Sequence, residues 1–215
     1  MSVNSPQIWI LDDELQVRES LDWLLQSVGW HAQLLDSPQA LLQALAANSS
    51  QQPGCLLLDV RMPGMSGLDL LEKLRKSSEI LPVILLTGHG DVAMAVKALK
   101  AGAFDFFAKP FNDQELLDSI NRALELHKSL LAQKEKDKHW NSRLASLTRR
   151  EKEVMFLLVD GLSSKQIADC LAISSKTVDV HRHQVMQKLA VRSLAELIHL
   201  SYRQGWIALE RPDQA

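Results

Sequence analysis

The sequence predicts an α/β protein, a doubly wound five-stranded parallel sheet followed by a small all-α domain. Three observations predict it. Apolar runs alternate with helix-period segments through the first half, no Gly or Pro interrupts residues 112–160, and two capping boxes then open apolar-periodic runs without an intervening strand signal. Short buried strands alternating with helices imply a parallel sheet covered on both faces.

The strands are read in order from "IWIL", "HAQLL", "CLLLD", "PVILLT" and "DFFAKP". After the first, Val17, Leu21, Leu24, Leu25 and Val28 follow the spacing of an amphipathic helix. After the fifth, "NDQELLDSINRALEL" continues its helical texture through "HKSLLAQKEKDKHWNSR" as a charged connecting helix. Thr148 with Glu151 and Ser163 with Gln166 make the two capping boxes. The expected boundaries are a sheet domain over 1–127, a helical linker over 128–145 and a helical domain over 146–215.

With 215 residues, 46% hydrophobic and 23% charged, the chain has the composition of a soluble globular protein of two small domains. Its net charge of −2 is unevenly spread: 9 Lys and Arg stand against 16 Asp and Glu over 1–125, 5 against 2 over 126–145, and 10 against 8 over 146–215. An acidic front half favours metal cations, and a basic centre and tail suit a polyanion. Cys55 and Cys170 make no Cys-x-x-Cys spacing, so neither a disulfide framework nor a zinc site is expected, and a reducing cytoplasmic location is. No apolar stretch reaches the roughly 18 residues of a membrane span. "MSVNSPQ" lacks the basic start and apolar core of a signal peptide, and no membrane partner is expected.

In open parallel sheets the ligand site lies beyond the carboxyl ends of the strands, where strand order reverses. Asp12 and Asp13 follow the first strand, Asp59 ends the third, Thr87 ends the fourth and Lys109 follows the fifth. Taken singly, these aspartates are more often caps or loop residues and Thr87 a turn hydroxyl. As a set they point to chemistry. Gathered carboxylates repel one another unless a cation neutralises them. Oxygen ligands suit Mg²⁺, which keeps several waters and takes phosphate oxygens as further partners. A carboxylate beside Mg²⁺ is a nucleophile for a phosphoryl group; Lys109 would pair with the phosphoryl oxygens and Thr87 would hydrogen-bond them. "KPF" is also a place for a cis peptide at Lys109-Pro110.

"ILDDE", "LLLDVRMPGMSGLDLL", "ILLTGHGD" and "AGAFDFFAKPF" together resemble the receiver domains of two-component response regulators, over residues 7–125. The resemblance implies a flavodoxin-like fold with Asp59 as phosphoacceptor, fed by a sensor histidine kinase. It implies that Asp12, Asp13, Asp59 and the Arg61 carbonyl hold Mg²⁺, and that Thr87 and Lys109 bind the phosphoryl group. It places the family's switch aromatic on Phe106, which turns inward as Thr87 moves toward the phosphate. Arg61 and His89 take a role in phosphate lifetime by the same logic.

In "LSSKQIADCLAISSKTVDVHRHQVMQKL", a helix over 164–171, a turn at Ala172 and Ile173, and a second helix from Ser175 are expected, with Val178, Val185 and Leu189 as its buried stripe. Lys176, Asp179, Val180, His183 and Gln187 share the opposite face. Donors, an acceptor and a small apolar group suit base edges in the major groove of double-stranded promoter DNA. Phosphate positioning falls to Lys165, Lys176, Thr177, Arg182 and Lys188, with backbone donors at Ser174 and Ser175. Residues 146–207 resemble the LuxR-type helix-turn-helix, which with the receiver places the chain among FixJ- and NarL-like regulators. Ala172 stands where many members have Gly, so a left-handed conformation there would cost about 1 kcal/mol. Asp179 stands where a basic or neutral polar residue is frequent; it either accepts from cytosine N4 or serves the helix dipole.

Two other readings compete. A Mg²⁺-dependent phosphatase of the haloacid dehalogenase type places a second Asp two residues after the nucleophile as general acid, and Arg61 occupies that position. A phosphorylation-independent DNA-binding protein would have no use for the intact carboxylate set. The expectation is a transcription regulator, not an enzyme, that forms a homodimer through Val92, Val96, Leu99 and Lys100 when phosphorylated. It would bind a pseudo-palindromic promoter site and meet RNA polymerase there.

Overall fold

A computed structural model of the chain describes residues 6–47, 52–77, 80–88 and 92–203. The chain divides into two compact units, Met1–Gln133 and Lys134–Ala215.

In the first unit, β1 (Gln7–Leu11), β2 (Ala32–Leu35), β3 (Gly54–Asp59), β4 (Val83–Thr87) and β5 (Asp105–Ala108) pair in parallel in the order β2-β1-β3-β4-β5. This is the flavodoxin-like order, whose winding reverses between β1 and β3. The helices are α1 (Leu15–Ser27), α2 (Pro38–Ala47), α3 (Gly67–Lys76), α4 (Val92–Lys100) and α5 (Asp113–Ala145). Successive side chains of a strand point to opposite faces, so the central strands feed two cores. Ile8, Ile10, Leu57 and Ile84 pack with residues of α1 and α5 such as Leu21, Leu25, Leu116 and Ile120. Trp9, Leu11, Leu56, Leu58 and Leu85 pack with Leu41 of α2, Leu70 and Leu74 of α3 and Ala98 of α4.

The expectation of five buried strands is corrected at the sheet edges. Gln33 and Leu34 of β2 are exposed and β5 is half-buried, whereas β3 and β4 are buried throughout. An edge strand has a neighbour on one side only. The Lys109-Pro110 peptide is cis. Buried His127 of α5 accepts a hydrogen bond at Nδ1 from the Gly54 N–H at 2.8 Å, tying this helix to the start of β3.

The second unit contains the end of α5 with α6 (Arg149–Val159), α7 (Ser164–Leu171), α8 (Ser175–Leu189) and α9 (Leu194–Arg203). Helix α5 runs unbroken over Asp113–Ala145, and its last turns do more than connect. Trp140 and Leu144 pack against Leu147, Met155, Val185, Leu189 and Leu197, and Arg143 donates to the Leu189 carbonyl at 3.0 Å. Both capping boxes form, at Thr148 with Glu151 and at Ser163 with Gln166. A second cluster joins Val154, Leu158, Ile167 and Val178, holding α6, α7 and α8 together. Ala172 closes α7 in the left-handed conformation at φ 53°, and Ala190 closes α8 at φ 52°.

Candidate functional site

Asp12 follows β1 and Asp59 ends β3; the pairing of Leu11 with Leu58 sets the two aspartates side by side at the reversal point. Both are buried, Asp12 at 1% and Asp59 at 6% exposure. The Lys109 ammonium bridges them, 2.7 Å from Asp12 Oδ2 and 2.7 Å from Asp59 Oδ1. The Lys109 N–H donates to the Thr87 carbonyl at 2.7 Å, which places the lysine beside β4. Backbone donors hold the other oxygens: the Arg61 N–H lies 2.6 Å from Asp59 Oδ2 and the Glu14 N–H 2.9 Å from Asp12 Oδ1.

Burial pushes the Asp59 carboxyl above its ordinary value; Lys109 and the Arg61 N–H pull it back, and the Asp12 charge adds to the rise. Burial also acts to lower Lys109, but its hydrogen bonds to Asp12 and Asp59 outweigh that effect and hold the ammonium above the ordinary lysine value. One ammonium thus serves two carboxylates, and exposed Asp13 follows Asp12 in the chain. Among the described residues no group of three His, Cys, Asp or Glu side chains forms a ready-made metal cage. The oxygen-only donors and uncompensated negative charge still fit Mg²⁺, which binds through one or two carboxylates and keeps several waters. Asp12, Asp13, Asp59 and the Arg61 carbonyl are the groups that would hold it.

Thr87 is fully buried at the end of β4, and Phe106 of β5 is half-buried against the core. His89 lies outside the described residues. Val92, Val96 and Leu99 of α4 are 81%, 45% and 51% exposed, with Lys100 exposed beyond them. Two contributors to the site were missed by sequence reasoning. Arg18 of α1 donates to the Asp12 carbonyl at 2.6 Å, and Gly67 opens α3 so close to the Asp59 carbonyl that a Cβ there would collide with it. "MSG" offered a turn signal at Gly67; nothing local marked Arg18.

On α8, Val178, Val185 and Leu189 are buried and Lys176, Asp179, Val180, His183 and Gln187 are exposed, as the periodicity requires. Lys165 and Arg182 are exposed as well. Thr177 is exposed, and its hydroxyl lies 2.8 Å from that of Ser174, the helix cap. Ser164 of α7 donates to Asp179 Oδ1 at 2.8 Å. Lys188 has a partner within the protein. Its ammonium lies 2.8 and 2.7 Å from the two carboxylate oxygens of buried Glu151, so a phosphate at this lysine would compete with an internal carboxylate.

Two carboxylates and a lysine at the reversal point of such a sheet, with a helix-turn-helix following in the chain, define a class: a receiver joined to a DNA-binding domain. Residues 8–121 match the response regulator receiver domain, and residues 145–201 match the bacterial regulatory proteins of the luxR family. The chain is 42% identical over 201 residues to the transcriptional regulatory protein TdiR of Thauera aromatica, covering 93% of this chain and 87% of that protein. It is 40% identical over 200 residues to the transcriptional regulatory protein FixJ of Bradyrhizobium diazoefficiens, covering 93% and 96%. A solved structure of the response regulator StyR, 44% identical, matches with a TM-score of 0.78 over 93% of this chain and 99% of that one. The chain belongs to the two-component response regulators that carry a receiver and a LuxR-type DNA-binding domain, a family of transcriptional regulators. No helix among the described residues is long and apolar enough to cross a membrane.

Proposed function

We propose that the chain is a phosphorylation-dependent transcriptional regulator that takes a phosphoryl group from a sensor histidine kinase onto Asp59. The observation that supports this most is the Lys109 ammonium poised 2.7 Å from both Asp12 and Asp59. In the transfer, an Asp59 oxygen bonds to phosphorus as the P–N bond of a phosphohistidine breaks, and the departing imidazole takes up a proton. Mg²⁺ held by Asp12, Asp13, Asp59 and the Arg61 carbonyl supplies charge neutralisation for the phosphoryl oxygens. Lys109 then pairs with one phosphoryl oxygen and the Thr87 hydroxyl bonds another. Arg61, standing where a phosphatase carries its acid, offers no proton to a poor leaving group, which favours phosphoryl acceptance over enzymatic turnover.

Movement of Thr87 toward the phosphate lets Phe106 turn inward and reshapes the α4 surface. The exposed strip of Val92, Val96, Leu99 and Lys100 then pairs across a two-fold axis. Dimerisation sets two helix-turn-helix domains on half-sites roughly 10 base pairs apart, a pseudo-palindromic promoter site, and weak half-site binding becomes specific. Asp179, Val180 and His183 read base edges; Lys165, Lys176, Thr177 and Arg182 hold phosphates; RNA polymerase is the partner at the promoter.

Two measurements test this. Incubation with acetyl phosphate and Mg²⁺ should give a mass adduct on Asp59, and a stable adduct persisting in Asp59→Asn would refute the assignment. Sedimentation should show a monomer alone and a dimer with beryllofluoride; an unchanged dimer in Val96→Asp would exclude the α4 surface.

A further inference from the structure

Of the exposed residues on α8, Asp179 fits DNA least well. A carboxylate near a polyanion is repelled by phosphates and by the acceptor edges of guanine and thymine. Among the described residues no ion pair neutralises it. Ser164 instead donates its hydroxyl to Asp179 Oδ1 at 2.8 Å. Ser164 is the first residue of α7, directly after the Ser163 cap, so the capping box with Gln166 fixes its backbone. The bond joins the two helices of the helix-turn-helix and occupies one carboxylate oxygen.

We propose that Ser164 and Asp179 act as a unit that selects cytosine at one base pair of each half-site, Asp179 reading the base and Ser164 positioning the carboxylate. This rests on the DNA-binding reading above. With Oδ1 engaged by Ser164, Oδ2 is the carboxylate oxygen left open to a donor on the base. Cytosine N4 is a donor at the open side of the G·C edge, with the paired guanine O6 on one side only, whereas the N6 donor of adenine stands between two acceptors, its own N7 and the thymine O4, which repel a carboxylate. Without Ser164, the exposed side chain would be free to swing toward Arg182 or His183, which line the same groove. In water a bond between two such accessible groups contributes little to folding. At a dehydrated interface its loss leaves a carboxylate oxygen unpaired, so the bond matters most in the complex.

The test is selection of bound sequences from a random double-stranded DNA library, using the full chain with Mg²⁺ and beryllofluoride. Wild type should enrich a motif with cytosine at one position of each half-site. Asp179→Ala and Ser164→Ala should each lose about tenfold of the preference at that position and keep the others, whereas Ser164→Thr, which retains the hydroxyl, should keep it. Asp179→Asn should move the preference toward adenine, because an amide matches the N6 and N7 edge. A Ser164→Ala motif identical to wild type beside an altered Asp179→Ala motif overturns the positioning role. An unaltered Asp179→Ala motif, or guanine or thymine at the affected position, overturns the pair while leaving DNA binding intact. A wild-type chain that enriches no sequence overturns the DNA-binding reading itself, and the pair with it.

Discussion

Lys188 of α8 holds both carboxylate oxygens of Glu151 on α6, at 2.8 and 2.7 Å, while the Glu151 carboxylate also accepts the Thr148 N–H at 2.7 Å. The Glu151 side chain is 3% exposed and that of Lys188 36%. One acid thereby completes the cap of α6 and fastens α8 to it.

This pair sets an acid limit on the second unit. Burial acts to raise the Glu151 carboxyl, but the Lys188 and Thr148 hydrogen bonds outweigh it and hold the group below its ordinary value. A folded value below the unfolded one, about 4.3 for Glu, gives stability that is present above the unfolded value and lost as pH falls through the folded one. The urea midpoint of the second unit should therefore drop on acidification below about pH 4, more steeply than in Glu151→Gln. Lys188→Ala, which leaves a buried carboxylate with cap donors alone, should lose roughly 2 kcal/mol at neutral pH. An unchanged midpoint would contradict the pairing.

Lys109→Ala leaves Asp12 and Asp59 buried side by side without their shared cation. The first unit should lose roughly 1–3 kcal/mol, and excess Mg²⁺ should restore more stability to the variant than it adds to wild type. Thermal melts with and without Mg²⁺ measure this. The variant should still accept some phosphoryl group from acetyl phosphate, yet fail to dimerise in sedimentation.

The C-terminal turns of α5 should contribute to folding of the second unit. Arg143 lies 5.3 Å from the centroid of the Trp140 ring and donates to the Leu189 carbonyl. A fragment over 134–215 should resist urea better than one over 146–215, and Trp140→Ala should cost about 2 kcal/mol, less than for a fully buried ring. Equal stability of the two fragments would reduce these turns to a tether.

Ala172 and Ala190 adopt left-handed backbone that alanine tolerates poorly, at φ 53° and 52°. Glycine at either position should stabilise the second unit by roughly 0.5–1 kcal/mol, because the gain from removing Cβ exceeds the added freedom of the unfolded chain. A lowered melting temperature would count against it.

Salt dependence separates free cations from committed ones. Lys176→Ala and Arg182→Ala should each lower the slope of log affinity against log salt by about 1, with losses spread over all DNA sequences. Lys188→Ala should leave the slope nearly unchanged, since Glu151 already holds that ammonium. A full unit lost there would show that the ion pair opens on DNA.

Much of this was legible in the sequence because it depends on neighbours along the chain. Hydrophobic runs of strand length placed Asp59, Thr87 and Lys109 at strand ends, and helical spacing put Val178, Val185 and Leu189 on the buried side of α8. The capping boxes needed only the residue three positions on. The tertiary structure decided which groups meet across distance. Packing of α6 on α8 brought Glu151 to Lys188, 37 positions away, and so gave a lysine that local pattern had assigned to DNA a partner inside the protein. The same holds for Arg18 beneath Asp12, for Trp140 in the second core and for Ser164 against Asp179, 15 positions apart. Periodicity states which face of a helix is apolar, but a cation's partner follows from the angle and register at which two helices pack, and those belong to the whole core.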